Sequence, residues 1–343
     1  MIGAGAIGCA VAARLADQGR EVVLAGPSLS TDASRVAAGM IAPLSEAALD
    51  PLSRPGALVL SSAAALWPDF ADRFGVELRT CGGLLLSASA EGSVSETWPG
   101  EPVSLAAACR IAPYLEGWDG TLHWLPGECA VDPGAALAAL EAHLIRRGGR
   151  RLPGTLSPRA DGSWAHDAGR VTARWTVLAT GAGSEARVDV APELAVLTPI
   201  RGQILRTAPG RVEPGAAFVR GPGAYVAPQL DGAVMIGATM EAGVRHLSPS
   251  PQTSQALLAA TAAFASELTV GPMAVHVGLR ASTPDALPLV GPSARSGVLL
   301  ATGLRRNGWL LAPLVAGMIA DYLAGEDPGP LARRLDPQRF GRP

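Results

Sequence analysis

Lysine is absent from the 343-residue chain, and all 28 basic residues are arginine. That excludes a Walker-A lysine, a pyridoxal Schiff base and a lysine general base. Cysteine is scarce: Cys9, Cys81, Cys109 and Cys129 form no C-x-x-C pair. This argues against a zinc or redox motif and for a reduced, cytoplasmic setting. No apolar run reaches the roughly 18 residues of a membrane span. The most apolar stretch, Trp309 to Ala320, is short and contains Pro313. No basic segment followed by an apolar one opens the chain, so no signal peptide is read. A net charge of -2 gives no reason to expect nucleic acid or an anionic membrane as partner. With 48% apolar and 17% charged residues, the composition is that of a globular protein. The length suits one large domain or two ordinary ones.

The earliest motif is Gly3-Ala4-Gly5-Ala6-Ile7-Gly8, followed by a helical pattern to Gln18, a C-cap at Gly19 and a strand at Glu21-Val22-Val23-Leu24. A G-x-G-x-x-G at a strand-to-helix turn suits a dinucleotide. Gly3 permits the tight turn, Gly5 close backbone approach to a pyrophosphate, and Gly8 close helix–sheet packing. The pyrophosphate then meets the amides and dipole of the helix N-terminus. Two features depart from the pattern. Only Met1 and Ile2 precede the turn, so the natural reading frame is expected to begin upstream. The acid that should close the second strand is replaced by Ala25, followed by Gly26-Pro27-Ser28. Ser28, Ser30 or Asp32 is left to contact the ribose.

Further along, 61–74 reads as a helix and 82–86 as a strand. Asp132-Pro133 is an N-cap and first turn opening a helix with Leu137, Leu140, Leu144 and Ile145 on one face, ended by Gly148-Gly149. A strand over 171–178 runs into Ala179-Thr180-Gly181. Strands dominate from 200 to 238; 256–268 is helical, 297–301 a strand, and 310–323 a final helix before Gly325. Helix–strand alternation at both ends with a β-rich middle predicts an α/β fold: a doubly wound domain with an inserted antiparallel sheet.

In this order the motifs resemble those of the FAD-dependent D-amino-acid oxidase family, nearest the glycine oxidase of thiamine biosynthesis. The likeness rests on Gly3–Gly8, Ala33-Ser34-Arg35-Val36-Ala37-Ala38-Gly39-Met40, Val131-Asp132-Pro133, Leu178-Ala179-Thr180-Gly181, Pro199-Ile200-Arg201-Gly202-Gln203, Tyr225-Val226-Ala227-Pro228, Gly278-Leu279-Arg280 and Arg306-Asn307-Gly308-Trp309-Leu310-Leu311-Ala312-Pro313. The resemblance implies a discontinuous Rossmann-like FAD-binding domain (1–75, 127–190 and 284–343) and a substrate-binding domain (76–126 and 191–283). It implies FAD contacts at Gly3, Gly5, Ala6, Ile7, Gly8, Ser34, Ala37, Ala38, Gly39, Met40, Thr180, Gly181, Arg306, Asn307, Gly308, Trp309 and Leu310. Some members attach flavin through a late cysteine. None lies beyond Cys129 here, so non-covalent FAD is expected.

The same resemblance makes Arg280 the substrate-carboxylate arginine, Tyr225 its hydrogen-bonding partner and Arg306 a residue beside flavin and substrate. Of the adjoining Arg305 and Arg306, Arg306 is expected to face the site. Asp285 reads as a turn residue more than a flavin contact. The family often has His and an aromatic where Leu304 and Arg305 stand, which changes the pocket rim. The implied reaction passes a hydride from the α-carbon of glycine or another small amino acid to FAD N5, giving an imino acid and, with molecular oxygen, hydrogen peroxide. Two alternatives stay open: a dehydrogenase with a non-oxygen acceptor, and a non-catalytic flavin-binding partner. A homo-oligomer also stays open, and no metal is expected.

Overall fold

A computed structural model describes residues 1–87 and 100–341. Residues 88–99 and 342–343 fall in the expected substrate-domain and FAD-domain spans and lie outside the described residues.

A parallel sheet is organised around a very short first strand. Ile2 bridges both Ala25 and Leu178 in parallel. Its amide donates to Val177 O at 2.9 Å, and its carbonyl accepts from Ala179 N at 2.8 Å. On one side Val23–Gly26 pairs with Arg150–Pro153; on the other Thr176–Leu178 pairs with Val298–Thr302, both parallel. Leu289–Pro292 closes that edge antiparallel. The helices Ala6–Asp17 and Gly308–Ala324 share one core with Leu24, Val177 and Leu299. Their alanine- and glycine-rich faces bring the helices close to the sheet and to each other.

A nine-stranded sheet forms the second layer. Its path takes in Gly83–Ser87, Thr121–Leu125, Phe218–Gly221, Ala224–Pro228, Val234–Gly237 and Thr198–Thr207, and Met273–Ser282 pairs along ten residues of Thr198–Thr207. The helix Pro251–Ala265 packs its buried Leu257 and Phe264 into the core of this sheet. The two layers meet where Asp32 bridges Leu279. A Cβ on Gly278 would lie 2.7 Å from Val36 Cγ2, so the 33–36 loop sits directly on the sheet at this glycine.

Several expected boundaries move. The helix read over 61–74 is two helices, Ala57–Ala65 and Trp67–Phe74, because Pro68 lacks a donor and its ring clashes with the preceding turn. The strand read over 171–178 is also two pieces. Gly169–Val171 pairs with Trp164–His166, and Thr176–Leu178 joins the parallel sheet. The second strand runs Val23–Gly26 rather than 21–24. Asp132 does cap its helix, accepting from Ala135 N at 2.8 Å. Leu137, Leu140 and Leu144 are buried there, but Ile145 is 52% exposed and leaves the apolar face. Among the described residues no helix is long and apolar enough to cross a membrane, and no cluster of three acidic, histidine or cysteine residues is placed to hold a metal.

Candidate active site

The glycine turn is built as a close-packed cradle. Gly3 has φ +106°, and a Cβ there would lie 2.3 Å from Ala179 O; one on Gly8 would lie 1.8 Å from Gly3 O. No side chain fits either place. Gly5 faces Ser34: a Cβ would lie 2.8 Å from Ser34 Oγ, and that hydroxyl accepts the Ala6 amide at 2.9 Å. No side chain caps the helix from Gly5, so its first turn keeps amides for an anion. These backbone approaches fit a dinucleotide pyrophosphate.

Beside this turn opens a cleft of about 130 Å³. Its lining brings together Ser34 and Ala37–Met40, Tyr225, Arg280, and Asn307–Leu310 with Arg306. Gly3 to Gly8, Thr180 and Gly181 do not line it. Gly5 adjoins its rim through Ser34, while Gly3 packs on Ala179 and the Thr180 hydroxyl pairs with Ser184 Oγ at 2.8 Å. Gly39 has φ +76°, and a Cβ would meet Val131 O at 2.0 Å, so the 37–40 loop depends on glycine at its turn. Trp309 Nε1 donates to Ser34 O at 3.0 Å and Trp67 Nε1 to Leu310 O at 3.1 Å. These bonds fix the N-terminus of the final helix against the loop. No side chain caps that terminus either.

The sheet supplies the polar groups. Arg280 lies on Met273–Ser282 and extends over the neighbouring strand at Gly202, where a Cβ would sit 2.2 Å from its Nη1. Tyr225 extends over Gly237, where a Cβ would sit 2.6 Å from its hydroxyl. The two glycines clear the floor between the side chains. Arg280 Nη1 touches Thr239 O at 3.1 Å and Met240 Sδ at 3.3 Å. Among the described residues no carboxylate pairs with it. Burial raises the Tyr225 phenol above its ordinary range, although Arg280, Arg306 and Arg220 oppose the shift, so the group is a neutral donor at neutral pH.

No sequence motif announces the acidic side of the cleft. Buried Glu46 holds two guanidiniums: Arg306 Nε at 2.9 Å on one oxygen, and Arg220 Nη1 and Nη2 at 3.1 and 3.0 Å on the other. Burial pushes its carboxyl up, but Arg306 and Arg220 outweigh burial and hold it below the usual range. Behind it Glu128 accepts from Ser45 N at 2.7 Å and Ser45 Oγ at 3.0 Å; burial pushes Glu128 up to about 7. Contrary to the expectation that Arg306 alone faces the site, Arg305 also lines the cleft and pairs with Asp50. Its backbone, at φ +52°, turns this neighbour inward too. Asp285 accepts from Leu287 N at 3.0 Å and binds Arg339, as a turn residue does.

A glycine cradle that fits a dinucleotide pyrophosphate thus lies beside a cleft holding a guanidinium with no carboxylate partner among the described residues. The chain belongs to the FAD-dependent oxidoreductase (DAO) family, whose pattern it matches over residues 1–322, and its cofactor is FAD. It is 28% identical over 365 residues to the bifunctional protein ThiO/ThiG of Trichormus variabilis, covering 99% of this chain and 54% of that protein. It is 31% identical to the tRNA 5-methylaminomethyl-2-thiouridine biosynthesis bifunctional protein MnmC of Burkholderia lata, covering 99% and 59%. The chain thus spans about half the length of the curated relatives it matches. Among solved structures, glycine oxidase from Geobacillus kaustophilus superposes with a TM-score of 0.84 at 24% identity, covering 98% of this chain and 97% of that one. This likeness shows that the D-amino-acid-oxidase-like fold, with its mixed α/β sheets, is shared.

Proposed function

We propose that the protein oxidises glycine or another small amino acid to its imino acid, with molecular oxygen taking the electrons as hydrogen peroxide. The observation that carries this reading is Arg280, a guanidinium in the cleft with no carboxylate opposite it among the described residues. A planar fork of that kind matches two carboxylate oxygens, and Tyr225 adds a neutral donor. Bound FAD supplies the two-electron acceptor. Arg280 and Tyr225 orient the substrate carboxylate, and with it the α-carbon. The 37–40 and 306–310 segments exclude water from the reacting face. The uncapped helix N-terminus at Gly308 favours negative charge developing beside it. A small substrate also suits a floor cleared by two glycines but walled by Met40, Met240 and Ile204.

The division into an FAD-binding part (1–75, 127–190, 284–343) and a substrate-binding part (76–126, 191–283) belongs to this proposal. So does a place in thiamine biosynthesis, which the motif resemblance and the ThiO/ThiG relatives support. The test is anaerobic mixing of the FAD-loaded protein with glycine, sarcosine and D-alanine, followed by air. Bleaching of the flavin and peroxide on reoxidation are expected. A flavin that no member of the panel bleaches overturns the reading. Bleaching without peroxide replaces the oxidase with a dehydrogenase. A deletion strain that grows without added thiamine overturns the pathway.

A further inference from the structure

In dinucleotide-binding folds an acid at the end of the second strand hydrogen-bonds the adenosine ribose. Here neither of the last two strand residues can carry one. Ala25 is fully buried among Ile2, Leu178 and Leu300. A Cβ on Gly26 would lie 2.8 Å from the Ala4 backbone nitrogen, so the glycine turn itself forbids a side chain. No acid follows until Asp32, whose carboxylate accepts from Leu29 N at 2.8 Å and faces Arg35 at 4.0 Å.

Arg151 reaches both Leu24 O and Ser28 around this strand end. It lies on the adjoining strand, paired with Leu24, and its side chain is 15% exposed. Nη1 donates to Leu152 O at 2.5 Å and Leu24 O at 3.5 Å, Nε faces Glu141 at 3.4 Å, and Nη2 donates to Ser28 Oγ at 3.1 Å. A guanidinium has five N–H groups, so one Nη2 hydrogen is left over. Ser28, exposed in the loop beyond the strand, accepts from Arg151 and therefore has its own proton to give.

We propose that Ser28 and Arg151 anchor the adenosine ribose in place of the carboxylate, and that this subsite accepts an adenine nucleotide carrying a phosphate on the ribose 2′ position. The Ser28 hydroxyl donates to a ribose oxygen, and the remaining Arg151 hydrogen takes the 2′ oxygen or a phosphate on it. A carboxylate would repel that phosphate; a guanidinium attracts it. The inference rests on the FAD assignment and not on the proposed substrate.

Its test reads flavin displacement and not turnover. The FAD-loaded protein is titrated with adenosine 5′-monophosphate and with adenosine 2′,5′-bisphosphate, and released flavin is measured by fluorescence. The bisphosphate is expected to displace FAD at about tenfold lower concentration. Arg151→Ala should abolish that preference, and Arg151→Lys should keep most of it. Ser28→Ala, at an exposed position that does not threaten folding, should weaken FAD binding about fivefold. Equal displacement by the two nucleotides in the native protein overturns the phosphate part. Unchanged FAD affinity in Ser28→Ala overturns the ribose anchor, whether or not Arg151→Ala folds.

Discussion

Replacing Arg280 with alanine separates its proposed role from every structural one. Its protein partners are a carbonyl, Thr239 O, and a thioether, Met240 Sδ, so truncation strands no buried acid. The usual penalty of about 3–5 kcal/mol for breaking a buried ion pair does not apply. Removing a half-buried charge that has no paired carboxylate among the described residues should leave urea stability unchanged or slightly raised. Arg280 is not among the expected FAD contacts, so flavin absorbance should persist. A substrate carboxylate, however, loses a charge-assisted contact worth about 1.5–3 kcal/mol. That corresponds to a rise in KM of about tenfold to somewhat over a hundredfold. The assay compares an amino acid with the amine lacking its carboxylate, for example glycine with methylamine. The variant should lose activity toward the acid and leave the already poor amine unchanged. An unchanged KM for the acid, or an equal loss for acid and amine, refutes Arg280 as the carboxylate anchor.

Four other substitutions probe the surroundings. Gly202→Ala places a methyl 2.2 Å from Arg280 Nη1; the flexible guanidinium should move aside, raising KM less than Arg280→Ala does and leaving FAD in place. Gly39→Ala meets Val131 O at 2.0 Å with φ at +76°, so the protein should lose about 2 kcal/mol or more in urea unfolding and retain FAD poorly through purification. Glu46→Gln keeps the volume but leaves Arg306 and Arg220 short of their shared counter-charge, at an expected cost of about 3–5 kcal/mol in denaturant unfolding; a loss below about 1 kcal/mol contradicts the pairing. Glu128 has a folded-state pKa of about 7, raised by burial from 4.5. The native protein therefore binds its proton more tightly than the unfolded chain does. This contribution is fully present below the unfolded value and is lost as pH rises through about 7, by about 3 kcal/mol. Comparing urea unfolding at about pH 5 and about pH 8 should show Glu128→Gln with a flatter profile than the native protein.

What the sequence could disclose depended on how far apart the cooperating residues lie. The glycine turn, the 37–40 loop and the Asn307–Leu310 helix start were legible because each is a local backbone device, and its chemistry is written within a few consecutive residues. The Asp132 cap was legible for the same reason. Boundaries failed where a local signal was diluted by apolar neighbours: Pro68 was hidden in an otherwise helical pattern, and nothing between Val171 and Thr176 announces that the chain changes sheets. The acidic wall was illegible in principle. Glu46 and Arg220 are separated by 174 positions, and Arg306 is farther still, so no spacing or periodicity connects them. Gly202 and Gly237 were equally silent, since a glycine inside a strand acquires its purpose only from the side chain laid across it. The missing acid after Leu24 shows the converse. The sequence registered the absence, but its cause, the approach of Gly26 to Ala4, and its replacement, a guanidinium on the next strand, exist only in the folded chain. Local backbone devices are thus readable in advance, and the groups that set charge around the cleft are fixed by tertiary partners.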